Sequence, residues 1–504
     1  MKQNGSITVF AALAMMLIAS FLFALLEAGR EHILEAYADM KSDLGMDSVA
    51  AEYQPGLWEN YHLLCLDGAY GGNEFAIERV NQVLERRIYQ NLQTDGVTDN
   101  ILGMRITKAE AERYQLLTDD EGQVFLHRIA DYMKSNLLLE AADILYEKYK
   151  TAETLDNGQE MEDSIENAQN AILEAKEYPE DNGSSEDETG EPVEEESVIT
   201  TDEASESSYE VKENPLEIVL ELKENAILGM VVEDVTALSS RKLDAGSRLE
   251  ERACQRGNAG ESEKVAWYEK ILTLEYLDHY YTDYTGAPSE EHAVSYEMEY
   301  VLCGKTTDKA NLEAVVDRLL LIREAANVIH IVEDADKRNE AKAIANALAG
   351  FTGNPVVIQL VQIGIIAAWG FIESIQDVRA LLRGDKIALL KNKNQWTTDI
   401  TNLVQSFQST SKAKNCDNGL SYTDYLKLLL WMMPEKELAY RMMDVMEHNI
   451  RCIPAYQNCR MDHMICRMEY ATEFEADAFF SKLAVIGSGK PGSLLFSYRK
   501  SFSY

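Results

Sequence analysis

ITVFAALAMMLIASFLFALL, residues 7–26, is the stretch on which the reading of this chain turns. It carries no charge. At about 1.5 Å of rise per residue, a helix of that length spans roughly 30 Å, the thickness of a bilayer's hydrocarbon core. Three readings compete. A cleaved secretory signal has an apolar core of ~7–15 residues and then a small-residue cleavage site. This run is longer, and Ala24-Leu25-Leu26-Glu27-Ala28 lacks that pattern. A buried helix of a soluble core rarely runs so far with nothing more polar than Thr8 and Ser20. A membrane anchor fits best. Lys2 and the α-amino group flank the run on one side, and Glu27, Arg30, Glu31, Glu35 and Asp39 follow it on the other. Basic residues favour the cytoplasmic side, which places the amino terminus in the cytoplasm and residues beyond about 28 outside, in a single pass. Past the run, Leu26, Ile33, Tyr37, Met40 and Leu44 recur at helical spacing. The anchor is therefore expected to continue as a long amphipathic helix that packs this stripe against the first domain.

The rest of the chain reads as predominantly α with minor β, an α+β class. A helix-rich α+β region covers 28–149, with a polar hinge QTDGVTDN (93–100), a strand around ILGMRIT (101–107) and a helix over 122–149. Residues 150–213 read as an acidic disordered linker. From 177 to 210 the segment is dense in Asp and Glu, and no residue in it is basic. Such a segment repels itself and buries too little apolar surface to offset its ordering entropy. An α-rich domain covers 214–504. Within it, helical patterns fill 262–300 and 310–350 and continue from Tyr422 and again after Pro454, while SLLFSYRKSFSY (493–504) alternates as a terminal strand. A second apolar run, residues 356–372, contains Gln359 and Gln362 and is entered by Asn354-Pro355. It is of marginal length for a span, and a buried central helix is expected.

The formal net charge is −39, and the chain stays strongly negative even without the acids of the linker. That balance argues against nucleic acid as a partner, which needs a basic footprint. Seven cysteines in a chain of 504 residues make no disulfide framework.

Candidate chemistry is sparse. Cys459, His463 and Cys466 stand at i, i+4 and i+7, one face of a helix, and offer sulfur and imidazole to zinc. No fourth ligand is near, and Met461, Met464 and Met468 make an ordinary buried seam the better reading. Gly487-Ser488-Gly489-Lys490-Pro491-Gly492 has the G-x-G-x-x-G spacing, but the chain ends soon after it with no acidic residue, so a turn is expected. Tyr276, Tyr280, Tyr281 and Tyr284 resemble a sugar-binding surface in composition and equally fit a helix on a core. Trp369 and Glu373 lie one turn apart beside the second apolar run, and a buried Glu373 is expected to pair with Arg379, Arg383 or another base. No catalytic, cofactor-binding or metal-ligating residue is assigned, and an enzyme is not expected.

The opening NGSITVFAALAMMLIASFLFALLEAGR resembles the class III signal and anchor of TadE/TadG-like pseudopilins of tight-adherence (Flp) pilus systems. NPLEIVLELKENAILGMVVEDVTALSSR, EYVLCGKTTDKANLEAVVDRLLLIREAANVIH, AAWGFIESIQDVRALLRGDKIALLKNKNQW and LSYTDYLKLLLWMMPEKELAYRMMDVMEHNI look like an uncharacterised family of membrane-anchored Firmicutes proteins associated with such loci. The resemblance implies a polar leader (1–5) ending at Gly5, prepilin-type processing before Ser6, a transmembrane helix (6–27) and an outer domain. It also implies the lipid bilayer and other Tad or pilus assembly proteins as partners, with no enzymatic activity. Pilins that polymerise usually carry Glu at the fifth mature position, which here is Phe10. The expectation is thus a minor structural or assembly component at the cell membrane; a tethered ligand-binding or sensory ectodomain is the alternative.

Overall fold

A computed structural model describes residues 4–93, 103–134, 145–147, 149–150, 159–177, 214–223, 227–287, 290–400, 416, 418–479 and 493–504. Helix α1 (Asn4–Ala50) is followed by β1 (Leu66–Asp67), α2 (Ile77–Gln93), β2 (Met104–Leu116), α3 (Gln123–Met133) and α4 (Gln159–Glu177). Then come α5 (Trp267–Tyr280), α6 (Glu297–Cys303), α7 (Asp308–Glu333), α8 (Ala335–Ala349) and α9 (Pro355–Leu382). Helices α10 (Tyr422–Trp431) and α11 (Glu435–Arg451) lead to β3 (Met464–Asp477) and β4 (Ser493–Ser503). The fold is α+β with α dominant, as the sequence implies.

The sheet joins the two ends of the chain. Antiparallel β3 pairs with β2 along one edge, from Met104↔Ala476 to Leu116↔Ile465. Its other edge takes β1 (Leu66↔Ile465) and β4 (Arg467↔Ser503 to Asp477↔Ser493). One face of this sheet, with α1 and α2, encloses a small core of Leu34, Ala38, Met46, Val80, Leu84, Ile88, Phe474 and Phe496. Residues 28–149 therefore do not close a unit of their own, because β3 and β4, near the carboxyl terminus, complete their sheet. Local patterning showed the start of β2 and showed β4, but not β1 or β3, and not that the partners of β2 lie at the far end of the chain.

Three local expectations are corrected. The strand around 101–107 runs on to Leu116, since pairing along β3 continues past it. Among the described residues only the single turns Pro454–Tyr456 and Met461–His463 form after Pro454; the chain enters β3 instead, where Met468, Tyr470, Phe474 and Ala476 alternate inward. Residues 159–177 of the expected linker form α4, whose Ile165, Ala168 and Ile172 are buried against the large core. Those apolar positions recur at helical spacing, so α4 can dock despite its acidic surroundings. Residues 178–213, the hinge at 94–100 and Gly487–Gly492 lie outside the described residues.

Helix α9 is the axis of the large core. Asn354 caps it by accepting from the Val356 N–H at 3.0 Å, and Pro355 opens the first turn. Val361 and most residues from Gly364 to Leu382 are buried, whereas Val356 is exposed. The second apolar run is thus interior mainly in its second half, from Gly364 onward, while its first turns, with Val356 and Ile363, reach the surface. Its two glycines set the packing distance: a Cβ on Gly364 would meet Ala168 of α4 at 2.3 Å, and one on Gly370 would meet Val328 of α7 at 2.7 Å.

Candidate functional site

Helix α1 is 47 residues long and divides into two halves. Its first turn contains Gly5 and Ser6. From Ile7 to Leu26 most of the large apolar side chains are exposed, Phe10 at 73% among them, while Phe23 is half-buried. Helix α1 is long and apolar enough to cross a membrane, the property shared by an anchor and a signal sequence.

Where that run ends, polar contacts fix the helix to the sheet. Glu27 accepts from the Phe479 N–H at 3.2 Å and pairs with Arg30 at 3.1 Å, and Arg30 donates to the Asp477 carbonyl at 2.9 Å. Further along, β4 grips the helix. The Tyr498 hydroxyl donates to the Glu35 carbonyl at 2.7 Å, and Lys500 pairs with Asp39 at 2.6 Å and Asp43 at 2.7 Å. Tyr504 closes the belt with a hydroxyl bond to the Ala50 carbonyl at 2.7 Å. Inside the interface the Ser42 and Thr472 hydroxyls meet at 2.9 Å. The carboxyl-terminal strand thus holds the amino-terminal helix at several points along its length.

The face that α1 turns to the domain is not the expected one. Leu34, Ala38, Met46 and Val49 are buried, while Ile33, Met40 and Leu44 point outward and Tyr37 is half-buried at the edge. With Met15, Leu22 and Leu26, the outward residues are 43–74% exposed. At ~100° per residue these six fall within roughly 40° of arc, a single line from the apolar run into the outer domain. Leu26, Ile33 and Met40 recur at heptad spacing, and Gly29 and Ala36 between them keep the face low. Space around a Cβ on Gly29 is empty to 4 Å. The stripe was legible; which of two apolar faces the domain would take was not.

The other singled-out residues are structural. Cys459 follows a turn, His463 ends a single helical turn and Cys466 lies in β3, so they share no helical face. Among the described residues no group of His, Cys, Asp and Glu is arranged to hold a metal ion. The tyrosines belong to the core: Tyr276 donates to the Tyr61 carbonyl at 2.6 Å, Tyr281 to the Met442 carbonyl at 2.9 Å, and Tyr280 meets the Tyr132 hydroxyl at 2.6 Å. Tyr284 rests edge-on against Tyr296 with ring centres 5.4 Å apart. Glu373 is fully buried and pairs with Lys391, and its Oε2 accepts from the Thr398 N–H at 2.9 Å. Arg379 donates to the Met230 carbonyl at 2.7 Å, and of the bases open to Glu373 the one that pairs is Lys391, brought in by the 383–392 crossing. Trp369 donates to the Thr398 hydroxyl at 2.9 Å.

Sequence reasoning missed the buried charges of the large core. Arg252 spans Glu447 and Asp462, each at 2.6 Å. Glu299 is also buried: Oε1 accepts from the Tyr284 N–H and the Tyr422 hydroxyl, each at 2.8 Å, and Oε2 has no hydrogen-bond partner among the described residues. Burial, with the neighbouring Asp283 charge, pushes its carboxyl up to about 8. A folded-state value above the unfolded one means that this contribution to stability is complete below about 4.5 and is lost as pH rises to about 8. Glu299→Gln, neutral throughout, should flatten that loss. Thermal unfolding from pH 5 to 9 should show the variant gaining on the wild-type chain, by at most about 4–5 kcal/mol. Parallel curves would refute a protonated Glu299.

A cleft of about 460 Å³ opens beside α3 and α5, lined by Gln115, His127, Glu263, Tyr268, Glu269 and Arg467. His127 Nδ1 lies 3.2 Å from Glu269 and Nε2 lies 2.8 Å from the Glu263 carbonyl. Both ring nitrogens are engaged by the protein itself, which leaves neither for general acid or base work on a ligand.

Residues 205–476, more than half of the chain, match a family of unknown function, DUF5702. The match takes in helices α5 to α11 and nearly all of β3, and excludes α1 to α4, β1, β2 and β4, so part of the large core lies outside it. No curated protein and no solved structure matches the chain.

Proposed function

The chain belongs to the DUF5702 family, and from that premise we propose that it is a membrane-anchored structural component that assembles through its amino-terminal helix. The observation that carries this reading is the outward apolar line on α1, which continues from the 7–26 run past the sheet to Leu44. A monomer that merely needed a tether would bury this line or make it polar beyond the bilayer. Large apolar groups left at 43–60% exposure outside the run, at Ile33, Met40 and Leu44, suit a second helix lying alongside. The belt of β4 contacts supports the same role, because it lets force on α1 pass directly into the sheet.

The resemblance of the opening residues to TadE/TadG-like pseudopilins makes a Tad-type (Flp) pilus, secretion or adhesion system the setting. In that reading Lys2 stays cytoplasmic, the outer domain is extracytoplasmic, processing falls between Gly5 and Ser6, and the chain performs no catalysis of its own. Phe10 in place of Glu favours a minor component over a fibre subunit. The cleft beside His127 favours the second reading, a ligand-binding ectodomain on a tether.

Photocrosslinking in membranes separates the two. A benzophenone side chain at Ile33 or Met40 should capture another membrane-anchored chain, and the same group at Glu35, on the opposite side of the helix, should not. Equal capture from all three positions, or none from any, would sink assembly through this face. Mass spectrometry of the mature chain tests the setting independently: a terminus at Ser6 is expected, and one at Met1 or beyond residue 26 refutes pilin-type processing.

A further inference from the structure

The contacts between α1 and β4 fix the height of the sheet along the helix. Tyr504 bonds the Ala50 carbonyl and Tyr498 the Glu35 carbonyl, both at 2.7 Å. Between those points α1 rises about 22 Å at ~1.5 Å per residue and β4 about 20 Å at ~3.4 Å per residue, so strand and helix run nearly side by side. Toward the amino-terminal end, α1 descends about 12 Å from Glu35 to Glu27, and β4 descends about 10 Å from Tyr498 to Leu495. Leu495 is therefore nearly level with Glu27.

Direct contacts bring Phe479 to the same height. Its N–H donates to the Glu27 carboxylate at 3.2 Å, and just before it the Asp477 carbonyl accepts from Arg30 at 2.9 Å. Glu27 is the first charge after the uncharged run from Ile7 to Leu26. With that run filling the hydrocarbon core, Glu27 stands at the boundary between acyl chains and headgroups, and Phe479 and Leu495 stand there with it.

Their chemistry suits that depth. Phe479 is 58% exposed and Leu495 70%. Leu495 lies on the face of the sheet turned away from α1, since its neighbour Phe496 enters the small core. Ser497, Arg499, Ser501 and Ser503 follow it on that face, all polar and exposed. A large apolar side chain thus sits on an otherwise polar face of β4, at the end that meets the bilayer. Arg30 and Arg105 nearby are paired with Glu27 at 3.1 Å and with Glu475 at 2.8 Å. The attraction therefore rests on the apolar groups rather than on anionic headgroups.

We propose that Phe479 and Leu495 form a membrane-contacting edge, with which the lower end of the sheet dips into the headgroup layer of the bilayer that α1 crosses. Two such side chains are too few to hold the domain on a membrane without α1, but they set its orientation. Because α1 is unbroken from Asn4 to Ala50, an edge resting on the bilayer fixes the angle of the helix and the direction in which Ile33 and Met40 face. The proposal rests on α1 being the membrane span, as proposed above.

The test reconstitutes the full purified chain into phosphatidylcholine vesicles, with a benzophenone side chain at one position at a time. After irradiation, lipid adducts are measured by mass spectrometry. Leu17, inside the run, should give adducts. Phe479 and Leu495 should give them several-fold above Ser501, which lies about 20 Å farther from the bilayer on the same face of β4. Adducts at Leu17 with Phe479 and Leu495 no higher than Ser501 overturn the membrane-contacting edge and leave the anchor standing. Adducts at none of the four positions overturn both. Capture of protein in place of lipid at Phe479 or Leu495 also overturns the edge.

Discussion

Asp377→Ala should destabilise the helical core by about 3–5 kcal/mol, the cost of stranding buried charge. Asp377 of α9 is fully buried. Its Oδ2 accepts from Arg323 Nη2 at 2.9 Å, Arg323 Nε at 3.1 Å and Asn327 Nδ2 at 3.1 Å, and its Oδ1 pairs with Lys391 at 2.5 Å. Arg323 also donates to the Ala388 and Leu389 carbonyls at 3.0 and 2.7 Å and to the Tyr425 hydroxyl at 3.0 Å. One carboxylate therefore holds α7, α9, α10 and the crossing after α9 in register. Removing it leaves the Arg323 guanidinium and the Lys391 ammonium in the interior with Glu373 as the remaining anion. Glu373→Ala should cost less, because Lys391 keeps Asp377. Denaturant unfolding followed by circular dichroism measures both, and an unchanged midpoint for Asp377→Ala would contradict the network's role. Burial raises the Asp377 carboxyl, but Lys391 and Arg323 outweigh it and hold the group below the usual carboxylate range. Its contribution is therefore present at neutral pH and is lost only as pH falls through that depressed value.

A chain beginning at residue 28 should leave the membrane fraction almost completely while keeping its fold. The apolar side chains of the 7–26 run face away from the domain, so their removal takes nothing from either core. The polar bonds of Glu27 to the Phe479 N–H and to the part-buried Arg30 go with them, a loss of about 1–3 kcal/mol. Leu34, Ala38, Met46 and Val49 remain to hold the outer half of α1 on the sheet. A gentler version, Leu17→Arg, places a charge near the middle of the run and should weaken insertion by about 2.5–3.5 kcal/mol. Fractionation after carbonate extraction reads out both. Continued sedimentation of the shortened chain with membranes would show that α1 is not the anchor.

Much of this architecture was readable before any contact was known. An uncharged run as long as Ile7 to Leu26 has the length and apolarity to cross a membrane, and apolar positions recurring at helical spacing make α1, α7, α9, α10 and α11 local decisions. Asn354-Pro355 ahead of α9 needs no tertiary information either. The candidate site was half legible: Leu26, Ile33, Met40 and Leu44 stood out as a stripe, yet a stripe says only that a face is apolar. Whether that face meets its own domain or another chain depends on which competing face the sheet covers.

The apolar helix at residues 7–26, the helical majority and the acidic character were thus settled by the order of residues alone, because each follows from groups within a few turns of one another. It took the folded chain to bring β4 around α1, to set Lys391 against Glu373, and to turn Met40 outward. Those outcomes depend on groups far apart along the chain, chosen by packing and by the cost of leaving charge unpaired, and no local period encodes that choice.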